Sequence, residues 1–177
     1  MNSLYNISIQ LYVIAIRFAA LFNAKAKLWT KGRKAIFQKI EEVTKGEQNI
    51  VWFHCASLGE FEQGKPIIEG YKQKYPSHKI LLTFFSPSGF EIRKNTPLAD
   101  FVSYLPADTK SNAKKFISIV KPIKVIFIKY EFWFNYMAEL KKQNISFYSV
   151  SAIFRDGQAF FKYKWWAEQL KNVTHFF

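Results

Sequence analysis

Two acidic residues stand where a carboxylate could move a proton. Glu60 closes the tight turn Ser57-Leu58-Gly59-Glu60 directly behind the apolar run NIVWFHC. A serine followed three residues later by a glutamate matches a capping box, in which the serine oxygen takes one free helix N–H and the glutamate reaches back to another. The same placement puts the carboxylate in the first turn of a helix, whose positive end favours the ionised form and makes it a ready acceptor for a hydroxyl proton. Local sequence leaves cap and base both open. Gly59 beside it would let a ligand approach the backbone closely, although glycine also merely permits turns. Glu131, in KYEFWFN (Lys129–Asn135), lies between aromatics where partial burial would raise its pKa; the alternative is an acid at the start of the next helix.

A second turn, Ser86-Pro87-Ser88-Gly89, reads as a helix start, with Ser86 as N-cap and Pro87 in the first helical position. Free N–H groups there can hold an anion. Neither a Gly-x-Gly-x-x-Gly fingerprint nor a phosphate-loop lysine accompanies it, so no nucleotide cofactor is expected. Histidines 54, 78 and 175 lack metal-ligand spacing, and His54, inside an apolar run, reads as a satisfied core residue. No metal site is expected. The single cysteine, Cys55, excludes an intrachain disulfide and a cysteine-based zinc site and fits a reducing compartment. The missing Gly-x-Ser-x-Gly elbow argues against acyl-enzyme hydrolysis.

These turns need elements to hold them. Short β-rich runs fall at 49–55, 79–85, 101–105, 123–128 and 145–150, with one more from Val173; amphipathic segments fill roughly 60–75, 88–95, 109–120, 132–143 and 156–171. Such alternation predicts an α/β fold, a Rossmann-like parallel sheet with helices on both faces. In such sheets ligands bind outside the carboxyl ends of the strands. ASLGE, SPSG, PADT (Pro106–Thr109), KYEFWFN and SAIFRDG (Ser151–Gly157) all fall on that rim, which points to one site.

Ahead of this pattern, residues 4–22 are almost continuously apolar, yet Asn6, Gln10 and Arg17 recur along one helical stripe. A membrane span needs about 20 apolar residues with few charges, so an in-plane anchor is the favoured reading. Behind it, Lys25, Lys27, Lys31, Arg33 and Lys34 form the kind of juxtamembrane cluster that anionic lipid attracts and that stays on the cytoplasmic side. The formal charge of +13 also implies an anionic partner, and an apolar content of 49% excludes a disordered tail. Nucleic-acid binding would call for exposed aromatics interleaved with lysine and arginine; here the aromatics lie in apolar runs or beside the leader. The expected organisation is a helical leader over 1–45 and an α/β domain over 46–177, which ends as a further strand begins in VTHFF, as if a longer protein continued.

The stretches WFHCASLGEFEQGKPIIEGYKQKYP, ILLTFFSPSGFE, YLPADT and KPIKVIFIKYEFWFNYMAELKKQNISFYSVSAIFR, in this order, closely resemble the amino-terminal half of 3-deoxy-D-manno-octulosonic acid (Kdo) transferases. The resemblance implies a GT-B architecture whose first Rossmann-like domain receives a lipid acceptor and whose second, absent here, holds most of the CMP-Kdo donor site. It implies inverting transfer of Kdo to the lipid A precursor, lipid IVA, in lipopolysaccharide synthesis at the cytoplasmic face of the cell inner membrane. Glu60 would then be the catalytic base and Glu131 the second functional acid, with Trp133 and Asn135 also matching; Lys129 and Phe134 replace the first acid and the proline of that loop. Ser57, Gly59, Ser86, Ser88 and Gly89 would line the acceptor site. Lys129, Arg155 and the leader cations Arg17 to Lys34 would meet acceptor phosphates or anionic headgroups. No nucleic-acid partner is implied, and the chain alone is expected to be inactive. The rival reading is a non-catalytic basic domain that binds membrane or nucleic acid.

Overall fold

The computed structural model describes residues 2–129, 132–151 and 164–177. Glu131 and Arg155 lie outside them. The apolar runs form β1 (Ile50–Cys55), β2 (Lys79–Phe84), β3 (Phe101–Tyr104), β4 (Lys124–Ile128), β5 (Ser146–Val150) and β6 (His175–Phe176). All pair in parallel in the order β3-β2-β1-β4-β5-β6. The chain leaves β1 towards β2 on one side and returns to β4 on the other, so the strand order reverses between β1 and β4.

Helices fill the crossovers: α4 (Leu58–Lys74), α5 (Pro87–Arg93), α6 (Lys110–Val120), α7 (Phe134–Lys142) and α8 (Lys164–Leu170), preceded by α1 (Asn2–Ala19), α2 (Ala24–Gly32) and α3 (Ile36–Thr44). The expected helix over 156–171 is described only from Lys164. Alternate residues of the central strand serve opposite faces, as the pleat dictates. Val51, Phe53 and Cys55 pack with Phe61 and Ile68 of α4, whereas Ile50 and Trp52 pack with Ile36 and Ile40 of α3, Phe116 of α6 and Tyr136 of α7. Trp52 is fully buried, 4.7 Å from Phe116 and 5.0 Å from Phe127 between ring centroids. Removing a side chain of that size from water stabilises the fold by roughly 1.5–3 kcal/mol. Its indole N–H donates to Thr83 Oγ1 at 2.7 Å, so the one polar atom it buries is satisfied.

The leader does not stand apart from the sheet. Tyr5 of α1 packs on Phe134 at 4.9 Å, and Tyr12 stacks beside Phe85 at 6.1 Å, which lays α1 along the carboxyl rim. Its other side carries Leu4, Ile7, Leu11, Ile14 and Phe18, each more than half exposed. That three-and-four spacing is an apolar stripe turned away from the core. The polar stripe expected from the sequence divides: Asn6 accepts from Asn135 Nδ2 at 3.0 Å, while Gln10 and Arg17 line a groove farther along the helix.

Candidate functional site at the carboxyl rim

The point where strand order reverses is where an open α/β sheet leaves a crevice, because the loops after its two central strands run to opposite faces. Glu60 follows β1 and Lys129 follows β4, so the two flank that crevice. Ser57 starts α4 with extended backbone, and Glu60 sits three residues on in a capping box. Glu60 Oε2 accepts from the Ser57 N–H at 3.2 Å and from the Ala56 N–H. The cap is therefore formed, and the helix begins two residues before the amphipathic pattern alone suggests. Oε1 accepts no hydrogen bond from a described residue, and it is not among the buried unpaired atoms, so it is not sealed from solvent. Burial raises the Glu60 pKa; the two backbone N–H groups and the positive charge of Lys129 oppose the rise.

Lys129, directly after β4, lies in the left-handed region at φ 65°. Its N–H donates to Val150 O and its carbonyl accepts from Ser149 Oγ, both at 2.7 Å, so the turn is held from β5. Ser86 lies on the other side of Glu60: its N–H donates to Ala56 O at 2.7 Å, and its hydroxyl caps α5 by accepting from the Ser88 N–H at 3.3 Å. Ser86 and Ser88 hydroxyls are 2.8 Å apart at the surface. Gly89 is buried: a Cβ there would meet Phe84 at 2.3 Å and the Ser57 carbonyl carbon at 3.1 Å, so it allows α5 to close on the β1–α4 turn. Around Gly59, by contrast, a Cβ would meet nothing within 4 Å.

Trp133 donates from Nε1 to His54 Nε2 at 3.3 Å and packs on Phe85 at 4.7 Å. An indole N–H only donates, so His54 Nε2 is the unprotonated nitrogen and Nδ1 carries the proton, shared with Thr83. Burial, with Arg33 adding to it, lowers the His54 pKa to about 3. His54 is a neutral core residue, as the sequence implied.

Two residues expected to face a ligand or lipid are hydrogen-bonded within the protein. Asn135 gives its amide hydrogens to Asn6 Oδ1 and to Asp108 O at 2.6 Å, which joins α1 to the β3–α6 loop. Arg33, grouped by sequence with the lipid-facing cations, points inward. Nε donates to Leu105 O, Nη1 to Trp29 O and Nη2 to Phe85 O, while the guanidinium stacks over Trp29 at 3.9 Å. Gly32 makes room for this, since a Cβ there would strike Tyr104 at 2.2 Å. Burial pushes the Arg33 pKa down to about 9. Arg17, Lys25, Lys27, Lys31 and Lys34 stay exposed.

Sequence reasoning gave Asp108 no role, yet it is the hub of the rim. It is buried and accepts from Tyr5 OH at 2.5 Å, Asn135 N at 3.1 Å and Tyr136 N at 3.0 Å. Its only signal was its place in a loop after a β run. Among the described residues no cluster of three or more His, Cys, Asp or Glu could hold a metal ion.

A six-stranded parallel sheet, covered on both faces and carrying polar turns at its strand-order reversal, defines a Rossmann-like α/β domain. The family model of 3-deoxy-D-manno-octulosonic-acid transferase (kdotransferase) matches residues 30–177, and the chain belongs to that family. Among curated relatives, it is 36% identical over 101 residues to a 3-deoxy-D-manno-octulosonic acid transferase of Aquifex aeolicus, covering 56% of this chain and 27% of that protein. Over 104 residues it is 35% identical to the transferase of Haemophilus influenzae, covering 58% and 24%. Over 99 residues it is 30% identical to that of Chlamydia pneumoniae, covering 55% and 23%. The matched stretch thus spans about a quarter of each relative's length.

Proposed function

We propose that this chain is the acceptor-binding part of a Kdo transferase, which moves Kdo from CMP-Kdo to a hydroxyl of the lipid A precursor, with Glu60 as general base. The donor would be held largely by a second domain outside this chain. The observation that carries the reading is Glu60 itself: a carboxylate at the crevice with one oxygen fixed by two backbone N–H groups and the other accepting no hydrogen bond from a described residue. A base held this way loses little orientational freedom when the acceptor hydroxyl arrives. As that oxygen attacks the anomeric carbon, its proton passes to Glu60 and CMP departs, inverting the anomeric configuration. Burial raises the Glu60 pKa, and the Ala56 and Ser57 N–H groups, with a smaller contribution from the Lys129 charge, offset part of that rise. Glu131 and Arg155, outside the described residues, are proposed as the second acid and as a phosphate-binding cation.

The direct test supplies CMP-Kdo and lipid IVA vesicles to the protein carrying both domains and follows Kdo-lipid and free CMP by mass spectrometry. No Kdo-lipid would overturn the reading. In the same assay the rate should fall as pH drops through the Glu60 pKa, since only the ionised form accepts a proton. Burial places that midpoint above the ordinary carboxylate value.

The acceptor lies in a bilayer, and we place the leader on the same surface, the cytoplasmic face of the inner membrane. No helix among the described residues is by itself long and apolar enough to cross a membrane; α1 and α2 pass such a test only together, with a bend of 119° between them. An in-plane α1, its stripe in the acyl boundary and Lys25, Lys27 and Lys31 at the headgroups, fits that geometry. Leu11→Asp together with Phe18→Asp should abolish flotation with phosphatidylglycerol vesicles while leaving the unfolding temperature within a few degrees, because both side chains are exposed. Unchanged flotation would count against the in-plane leader.

A further inference from the structure

A cavity of about 1090 Å³ opens between α1, the α2–α3 turn and α6, and it does not touch Glu60, Ser57 or Lys129. Its cations are Arg17, Lys27, Lys31, Arg33, Lys34 and Lys115, and no acidic residue lines it. None of the six is in an ion pair among the described residues; Arg33 meets only carbonyls and rings, and Lys115 lies over the Phe37 ring at 4.9 Å. Like charges converge on one concavity only at an electrostatic cost, which an anion there removes. Trp29, which also lines the groove, has an indole N–H that is buried without an acceptor.

Beside the polar Gln10, Thr30, Gln38, Thr109 and Asn112, the groove has an apolar wall from Val13, Ile36 and Phe37, which continues outward through Ile14, a residue that both lines the groove and is 61% exposed within the stripe of α1. Leu11 and Phe18 stand one turn to either side of it on that stripe. A free phosphate would use the cations but not this wall. A molecule with an anionic head and acyl chains would use both.

We propose that this groove binds the headgroup of a single anionic phospholipid of the bilayer, with the acyl chains running over the Ile14 surface. The acceptor is a poorer occupant, because its reacting hydroxyl must reach Glu60 and none of the Glu60 surroundings lines this groove. A smaller cavity of about 310 Å³, between Tyr12, Trp29 and Ser86, adjoins the rim. The proposal rests on the reading of the leader as a lipid-facing element and goes beyond it by assigning a discrete, headgroup-selective site.

Binding is measured by titration calorimetry on the full chain with dihexanoyl phosphatidylglycerol below its micelle concentration. The expected result is saturable binding of one lipid per chain, at least about tenfold tighter than for dihexanoyl phosphatidylcholine. Lys34→Glu with Lys115→Glu should weaken it about tenfold or more, and a Lys34→Ala, Lys115→Ala pair should weaken it less, both with unchanged circular dichroism. A stripe variant farther from the groove, Leu4→Asp/Ile7→Asp, whose side chains are exposed and do not line it, should lose vesicle flotation yet keep binding the short lipid within about threefold. Four results would overturn the proposal: no binding, equal binding of phosphatidylcholine, a double lysine variant that binds like the parent, or inorganic phosphate displacing the lipid at equal concentration. If the stripe variant still floats while the short lipid binds as described, the in-plane reading fails and the groove stands.

Discussion

Replacing Glu60 with glutamine in the protein that carries both domains should lower Kdo transfer by about 10²–10⁴-fold, or roughly 3–5.5 kcal/mol in the barrier, while the fold is kept. The separation is possible because the two duties of this side chain use different atoms and charges. Capping needs only an acceptor at the Oε2 position, where the Ala56 and Ser57 N–H groups converge, and a glutamine carbonyl can occupy it. Proton abstraction needs a carboxylate. Thermal unfolding of Glu60→Gln should therefore lie close to that of the parent, whereas Glu60→Ala, which leaves the two N–H groups without their acceptor, should cost about 0.5–2 kcal/mol of stability as well as activity. Transfer by the glutamine variant within about tenfold of the parent would show that Glu60 is a cap and that the base lies elsewhere.

What could be read in advance was whatever is decided within a few residues. The Ser57–Glu60 box and the Ser86–Pro87 helix start appear where their sequences put them, because a cap is satisfied by atoms two to four positions away. The strand runs also held, since a strand buried on both faces must be apolar nearly throughout. Arg33 could not be told from its neighbours. Six cations between Arg17 and Lys34 look alike in sequence, and what turns this one inward is an aromatic box and three carbonyls, of which Tyr104, Phe85 and Leu105 come from the carboxyl ends of β2 and β3 and the residues just after them. The contacts of Asn135 were hidden for the same reason: its amide partners, Asn6 and Asp108, lie 129 and 27 residues away. The apolar leader was legible as one-sided. That its apolar side faces outward, while Tyr5, Asn6 and Tyr12 hold it to the rim, is a tertiary fact.

The same long-range logic makes Asp108 the position where substitution should most affect stability. Helix α7 has Trp133 at its N-cap, a residue that offers no acceptor to the first-turn N–H groups. Asp108 supplies the cap from another loop: Oδ2 takes the Asn135 N–H and Oδ1 the Tyr136 N–H, at the positive end of the helix dipole. Tyr5 adds the leader to the same carboxylate. Asp108→Ala should therefore destabilise by about 2–4 kcal/mol, the cost of unpairing two buried donors and releasing α1, and lower the unfolding temperature by about 5–15 °C. Asp108→Asn keeps one oxygen and should cost less. Burial raises the Asp108 pKa from 3.8 to about 6, even though the Tyr5, Asn135 and Tyr136 bonds pull it down. A carboxyl whose folded pKa exceeds its unfolded one binds its proton more tightly when folded, so its linked stabilisation is complete below about pH 4 and is lost as pH rises through about 6. Asp108→Asn cannot titrate, so the parent's stability relative to that variant should fall by on the order of 3 kcal/mol between pH 4 and 7. A gap independent of pH over that range would mean that Asp108 is ionised throughout, with its three donors outweighing its burial.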